Sequence, residues 1–289
     1  MKMQIIFLQT ADPYRYDEML QLTSQTVKEY CARHGFLYES YTGIKRGYHN
    51  WQATYNRIYQ LEELLQRGFG GWAIYMDADA YVYDPSFDLR SYLEERNDFG
   101  LVLTPSMATD HHWDINAGVV MINLGHEIGR HVVREWRAGF DGLSEQLLRD
   151  SAEWLHAGSD QDLIQVILRT QPQVAAATYL QSTDLINSNF ATFIRQELRS
   201  YSDSFQVRLA RIATEVESAL RRAPDATVGV DTASTIAAAT YRAILGRSPG
   251  QAEIGHVLEV LEREGLASGL ERATAELVAS EEFQARQWA

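Results

Sequence analysis

A single cysteine, Cys31, stands in 289 residues, so neither an internal disulfide nor a cysteine-based zinc site can form. That usage suits a reducing compartment. Positive charge is scarce: Lys and Arg total 26 against 39 Asp and Glu, a formal charge of -13. This is the wrong sign for a protein whose main partner is a phosphate backbone, which excludes nucleic acid as a first reading. Lysine is rarest of the cations, with only Lys2, Lys28 and Lys45 and none beyond. No run approaches the roughly 18 apolar residues that span a bilayer, and Met1–Gln9 is too short for a signal peptide's apolar region. The expectation is a cytoplasmic chain with no transmembrane segment, at most held at the inner face of a membrane.

What is present is a hydrophobic content of 45%, enough for one large globular domain or a medium domain carrying a small one. The first two-thirds alternate short β-type runs with helix-type stretches, the pattern of a mixed sheet flanked by helices. Ile5–Leu8 reads as a buried strand. Tyr16–His34 carries Met19, Leu22, Val27 and Tyr30 at helical spacing and stops at Gly35, before a short strand at Phe36–Tyr38. Trp51, Tyr55, Ile58, Leu61 and Leu65 mark one face of a helix over Trp51–Gln66. Interior strands are expected at Trp72–Met76, Phe99–Leu103 and Gly118–Ile122, and an amphipathic helix at Ile128–Arg137. Ser159 is placed to cap a helix through Leu168, with Asp162 three residues on in capping-box position.

Past Gln196 the character changes. Leu198–Arg222 is polar and helical, and Ala223-Pro224-Asp225 is the best candidate linker. This divides the chain into a domain over 1–222 and a helical accessory domain over 226–289. From Asp225 onward there are ten acids, five arginines and no strand signal.

The chemistry gathers where the strand Trp72–Met76 runs into Asp77-Ala78-Asp79. Side chains at i and i+2 of an extended segment point the same way, so the two carboxylates face one side. Two hard oxygen ligands favour Mg²⁺ or Mn²⁺, with coordination positions left for diphosphate oxygens. The carboxyl end of a strand is also where open α/β sheets bind ligands. A solvated Asp-rich turn is the plainer reading of Asp-x-Asp, but such turns seldom follow a buried strand. A phosphatase using Asp77 as nucleophile and Asp79 as general acid would need a later lysine to hold the phosphoryl group, and none follows Lys45.

Four ordered pieces together resemble nucleotide-sugar glycosyltransferases of the GT-A fold, an α/β Rossmann-like mixed sheet flanked by helices. The likeness is greatest to the galactosyl/xylosyltransferase group related to yeast mannan galactosyl- and mannosyltransferases. The pieces are Ile5–Thr10 with the helix ending Tyr30-x-x-x-His34-Gly35-Phe36; Tyr48-His49-Asn50-Trp51; Tyr75-Met76-Asp77-Ala78-Asp79-Ala80; and Ile115–Asn123 with Ser159-Asp160-Gln161-Asp162 downstream. They span about Met3 to Phe193.

The resemblance implies that Asp77 and Asp79 hold Mn²⁺ or Mg²⁺ against the diphosphate of a UDP-sugar, with Ala78 between them. It implies that Asn116-Ala117-Gly118 borders the donor sugar and that Asp160 and Gln161 meet its hydroxyls near the anomeric carbon. Thr10 would contact the uridine, and Arg57 joins the donor-binding candidates. His49 either positions substrate or belongs to a polar cap of the Trp51 helix through Asn50. Trp51 itself is core or sugar platform, and His111-His112-Trp113-Asp114 is expected as an exposed acceptor-side loop. The family's usual third metal ligand, a late histidine, is missing: after His156 only His256 remains. Its expected region reads Asp184–Phe190, where an Asn or Asp oxygen, or water, is left to complete the shell.

The reaction implied is transfer of a hexose or pentose from a nucleoside diphosphate to a glycan or glycolipid hydroxyl. The nearest group retains anomeric configuration; an inverting route would need a carboxylate base, for which Asp114 is the candidate. The competing reading is a catalytically silent sugar-nucleotide-binding or scaffold protein. In the tail, Thr240–Pro249 and Ala279–Phe283 resemble a short helical domain of unknown function found in bacterial surface and glycan-related proteins, itself similar to phycobilisome-linker helices. That implies a bacterial source and docking of a protein partner, self-association or an acceptor; a merely stabilising helical cap is the plainer alternative.

Overall fold

The computed structural model describes residues 3–156, 158–199, 204–222 and 230–287. They fall into two compact units, Met1–Arg222 and Ala223–Ala289. The expected linker Ala223-Pro224-Asp225 lies outside the described residues.

The first unit opens with strand β1 (Ile5–Ala11), helix α1 (Asp17–His34) and strand β2 (Leu37–Thr42), the β-α-β unit expected from the sequence. Helix α1 ends at Gly35, whose φ of 67° is the left-handed conformation that only glycine adopts without strain. A 3₁₀ helix, Asn50–Tyr55, then leads into α2 (Asn56–Gln66), and β3 (Trp72–Asp77) and β4 (Ala80–Val82) bracket Ala78 and Asp79. After α3 (Leu89–Glu94) come β5 (Leu101–Pro105), β6 (Ile115–Asn123), α4 (Glu127–Asp141) and α5 (Glu145–Asp150). The unit closes with α6 (Asp160–Thr170), α7 (Pro172–Ala176), the short strands β7 (Thr178–Leu180), β8 (Ile186–Ser188) and β9 (Ile194–Gln196), and helix α8 (Phe205–Arg222).

Six strands form one mixed sheet in the order β2-β1-β3-β6-β5-β7, and β4-β9-β8 form a second. Strands β1, β2 and β3 run parallel, while β6 is antiparallel to both β3 and β5. The alternation of strand side chains builds two cores. Ile6, Leu8, Ala73 and Tyr75 point to the face covered by α2, α4 and α6; Ile5, Phe7, Ile74 and Met76 point to the other, with α1 and the small sheet. Asp77 therefore shares the face of Tyr75 and meets α2.

Two expectations shift. The helix expected over Trp51–Gln66 runs without a break but opens as 3₁₀, its first turn bonded to distant backbone carbonyls. Trp51 Nε1 donates to Ser151 O (2.8 Å), Gln52 Nε2 to Leu148 O (2.7 Å) and Tyr55 Oη to Gly158 O (2.7 Å). The late helix starts at Phe205 rather than Leu198 among the described residues, and β4, β7, β8 and β9 were not foreseen. Strands of three residues are too short to show a period.

The second unit consists of α9 (Val230–Leu245), α10 (Gln251–Glu264), α11 (Leu266–Ala279) and α12 (Glu281–Gln287) around Ala237, Tyr241, Leu245, Val257, Leu261, Ala273 and Leu277. Arg247, within the resembling segment, lies 2.7 Å from both Glu253 of α10 and Glu282 of α12. Among the described residues no helix is long and apolar enough to cross a membrane.

Candidate functional site

The carboxyl ends of β1 and β3 and the 3₁₀ helix border a half-open cavity of about 70 Å³. Thr10, Asp12, Trp51, Tyr75, Asp77 and Asp79 are among its walls. Register explains the assembly: Thr10 of β1 sits opposite Asp77 of β3, so both strands deliver their last polar residue to one edge.

Buried Arg57 on α2 organises this edge. Its Nη2 lies 2.5 Å from Asp77 Oδ1 and its Nε 3.0 Å from Asp160 Oδ2. Its Nη1 donates to the Ala117 carbonyl, and its guanidinium lies over the Tyr75 ring at 4.1 Å. Burial opposes the Arg57 charge, but the carboxylates of Asp160 and Asp77 outweigh it and hold the pKa above the ordinary arginine value. Two carboxylates thus share one guanidinium. Burial, with Asp77 adding to it, pushes the Asp160 carboxyl up, although Arg57 opposes the rise.

Asp79 is 7% exposed and ion-pairs with Arg208 of α8. Arg208 is fixed in turn: its Nε donates to Glu197 O (2.6 Å) and its Nη1 to Tyr16 Oη (3.1 Å). The outer oxygens of the pair, Asp77 Oδ1 and Asp79 Oδ2, are therefore each held by an arginine. The inner oxygens converge on the Gln196 amide of β9, whose Nε2 lies 3.2 Å from Asp77 Oδ2 and 3.0 Å from Asp79 Oδ1. Gln196 Oε1 is buried and has no hydrogen-bond partner.

This donor set suits a hard divalent cation. It offers two carboxylates and an amide whose oxygen is buried without a hydrogen-bond partner. Among the described residues no three His, Cys, Asp or Glu side chains group as a metal cluster, so other oxygens must complete any shell at this pair.

The remaining expected site residues gather unevenly. Ala78 is buried, and its carbonyl accepts from Thr23 Oγ1 (2.9 Å). Thr10 Oγ1 bonds Tyr75 Oη at 2.8 Å. Ser159 caps α6 as expected, which sets Asp160 toward Arg57 and lets Gln161 Oε1 accept from Ala117 N (3.0 Å). Asn116 Oδ1 accepts from Gly118 N (2.9 Å), and Asn116 O accepts from Asn187 Nδ2 (2.9 Å). These residues thus join Arg57, Asp77 and Asp160 in one network.

Three expected residues stand differently. Asp114 accepts from Ser106 Oγ (2.7 Å), Thr109 Oγ1 (2.7 Å) and Gln165 Nε2 (3.4 Å). Burial raises its pKa, but the bonds from Ser106 and Thr109 outweigh burial and hold it below the ordinary aspartate value. Its oxygens are engaged in ordering its own loop, the opposite of what a proton acceptor needs. His49 bonds Arg149 O through Nε2 (2.8 Å), and its N–H donates to Gln52 Oε1 (3.1 Å). His49 also borders a second depression, with Arg15, Trp51 and Arg199. Asn187, in the segment expected to offer a late ligand, is turned instead to Thr104 Oγ1 (2.6 Å) and Asn116 O, and Gln196 stands at the carboxylates in its place.

Gln196, Arg208 and Asp12 went unforeseen. Asp12 accepts from the backbone N–H groups of Tyr14, Arg15 and Tyr16 and shapes the cavity rim. Tyr75 was legible by its i, i+2 relation to Asp77. Gln196 and Arg208 carried no signal, because long-range packing alone brings them here.

No family model and no curated protein matches the chain. Among solved structures it is similar to a glycosyltransferase involved in glycosylation of the major capsid of PBCV-1: 16% identity, TM-score 0.52, 72% of this chain and 98% of that one. It is also similar to the apo form of glycosyltransferase GlyE of Streptococcus pneumoniae TIGR4, at 12% identity and TM-score 0.45 over 77% of this chain and 66% of that one. A Drosophila β-1,4-galactosyltransferase 7 in complex with manganese, UDP-Gal and xylobiose matches at 14% identity and TM-score 0.37, covering 68% of this chain and 72% of that one. The first likeness, at a TM-score of 0.52, shows a fold shared with that glycosyltransferase over 72% of this chain.

Proposed function

We propose that the chain is a metal-dependent glycosyltransferase. It moves a hexose or pentose from a nucleoside-diphosphate sugar, UDP being the favoured carrier, to a glycan or glycolipid hydroxyl, with retention, in bacterial surface polysaccharide synthesis. One observation carries the reading: the inner oxygens of Asp77 and Asp79 converge at the carboxyl end of β3, beside a cavity open to a ligand.

Asp77 and Asp79 would hold Mn²⁺ or Mg²⁺. When bound, such an ion neutralises negative charge growing on the leaving diphosphate. Arg57 fixes the Asp77 carboxylate and ties it to Asp160 and to the Ala117 carbonyl through one guanidinium. The C1–oxygen bond to the diphosphate breaks, a C1–oxygen bond to the acceptor forms, and the acceptor proton passes to a phosphate oxygen. That scheme needs no protein base, which agrees with the engaged oxygens of Asp114. The helical tail is assigned an accessory role in acceptor docking or assembly.

The competing binding or scaffold role draws support from the arginines that already neutralise both carboxylates. Release of UDP from a panel of UDP-sugars with Mn²⁺, wild type against Asp79→Ala, separates the two. Turnover lost in the variant supports the enzyme. Sugar-nucleotide binding without turnover in wild type supports the scaffold.

A further inference from the structure

We infer that Gln196 is the third protein ligand of a divalent cation at Asp77 and Asp79, its terminal amide turning its oxygen toward the two carboxylates to bind it. The inference rests on the metal-dependent reading above and assigns it a residue that no histidine pattern could reveal.

Three observations converge. First, Gln196 Nε2 lies within hydrogen-bond reach of both inner carboxylate oxygens, 3.2 Å from Asp77 and 3.0 Å from Asp79. Two N–H donors there satisfy two anions that would otherwise face each other in a buried setting. Second, the other end of the same amide is unsatisfied: Oε1 is buried without a partner, on a residue only 4% exposed. Rotating the terminal amide by half a turn exchanges donor for acceptor without moving the chain, and brings that oxygen toward the carboxylates. With no cation present this arrangement would set three oxygens against one another; with one present it makes them a ligand set of the hard, oxygen-only kind that Mg²⁺ and Mn²⁺ prefer.

Third, room for the amide is built into β6. A Cβ at Gly118 would overlap the Gln196 amide, reaching 2.5 Å from Cδ. Glycine at 118, inside β6, thus leaves the space that the Gln196 amide fills. Meanwhile Arg57 and Arg208 hold the outer oxygens, fixing both carboxylates with their inner oxygens turned to the amide. A neutral amide contributes less to binding than an anionic ligand would, so the site is tuned to a weakly held cation.

The test is Mn²⁺ binding to the full chain, followed by calorimetry and by the electron paramagnetic resonance signal of free Mn²⁺, with no nucleotide present. Gln196→Met keeps the length and removes the oxygen; it is expected to weaken Mn²⁺ binding about tenfold. Gly118→Ala leaves every ligand residue unchanged but displaces the Gln196 amide, with a loss of similar size. Gln196→Glu adds a charge and is expected to bind Mn²⁺ about tenfold more tightly. Should Gln196→Met not fold, the opposite shifts of the other two variants still decide. Wild-type affinity in folded Gln196→Met and Gly118→Ala, with loss in Asp79→Asn, overturns the role of Gln196 and leaves the cation site standing. Absence of Mn²⁺ binding in wild type and Gln196→Glu alike overturns the metal reading, and this inference with it.

Discussion

Arg57 Nε stands 3.0 Å from Asp160 Oδ2, joining the start of α2 to the first residue of α6 across about a hundred residues of chain. Both groups are buried, at 2% and 3% exposure, and the same guanidinium reaches Asp77 and Ala117 O. A buried ion pair of this kind does not by itself make a fold more stable than an apolar pair would. Breaking it, however, strands a charge out of water.

Arg57→Ala is therefore expected to destabilise the first unit by about 3–5 kcal/mol, seen as a fall in the urea midpoint. Arg57→Lys should recover little, because an ammonium is a point charge and cannot reach three partners in a plane. A lysine variant as stable as wild type would contradict this account.

Asp79 has two partners, so its loss should have two consequences. Asp79→Ala is expected to cut UDP release at least about a hundredfold, and to lower stability by leaving Arg208 buried and unpaired. Adding Arg208→Met should restore part of the stability and none of the turnover. If the double variant regains turnover, the carboxylate acts only as a partner for Arg208.

Burial pushes the Cys31 thiol up to about 12. Near pH 8 the reactive thiolate is then about one part in ten thousand. Ellman's reagent should leave the native chain unlabelled and react with one thiol per chain in denaturant. Rapid native labelling would show that α1 opens readily around this position.

In the tail, Arg247 holds Glu253 at about 2, first through its hydrogen bonds and then through the Gly250 N–H. A carboxylate whose folded pKa is depressed adds stability that is fully present above the ordinary value near 4.5 and lost as pH falls toward about 2. Arg247→Ala should thus speed hydrogen exchange in α10 and α12 at neutral pH. The difference from wild type should fade as the pH approaches 2. An effect that persists unchanged in acid would place its origin in packing rather than charge.

Much of the frame was legible because it is written in short-range patterns. Ile5–Leu8 alternates between two cores, Gly35 ends α1, Ser159 caps α6, and Asp77 and Asp79 follow a buried strand. Each depends on residues within a few positions of one another, so periodicity and capping chemistry suffice. The 3₁₀ opening of the Trp51 helix was hidden, because the bonds that hold that turn reach to Leu148, Ser151 and Gly158. Asp114 had the residue type of a base, but Ser106, Thr109 and Gln165 give it another task.

By itself the sequence determined an α/β sheet followed by helices, and a carboxylate pair where β3 leaves the sheet. The scarcity of lysine determined that no late lysine could serve a phosphatase. Only the tertiary structure decided what faces those carboxylates. Gln196 lies 119 positions from Asp77, yet packing of β9 beside β4 puts its amide between the two acids. Arg208 reaches Asp79 because α8 folds back against α1 and β4. Spacing along a chain records neighbours on one strand or helix. Which amide or cation meets a buried carboxylate is settled by the requirement that every charge taken from water find a partner, and that partner can come from anywhere in the chain.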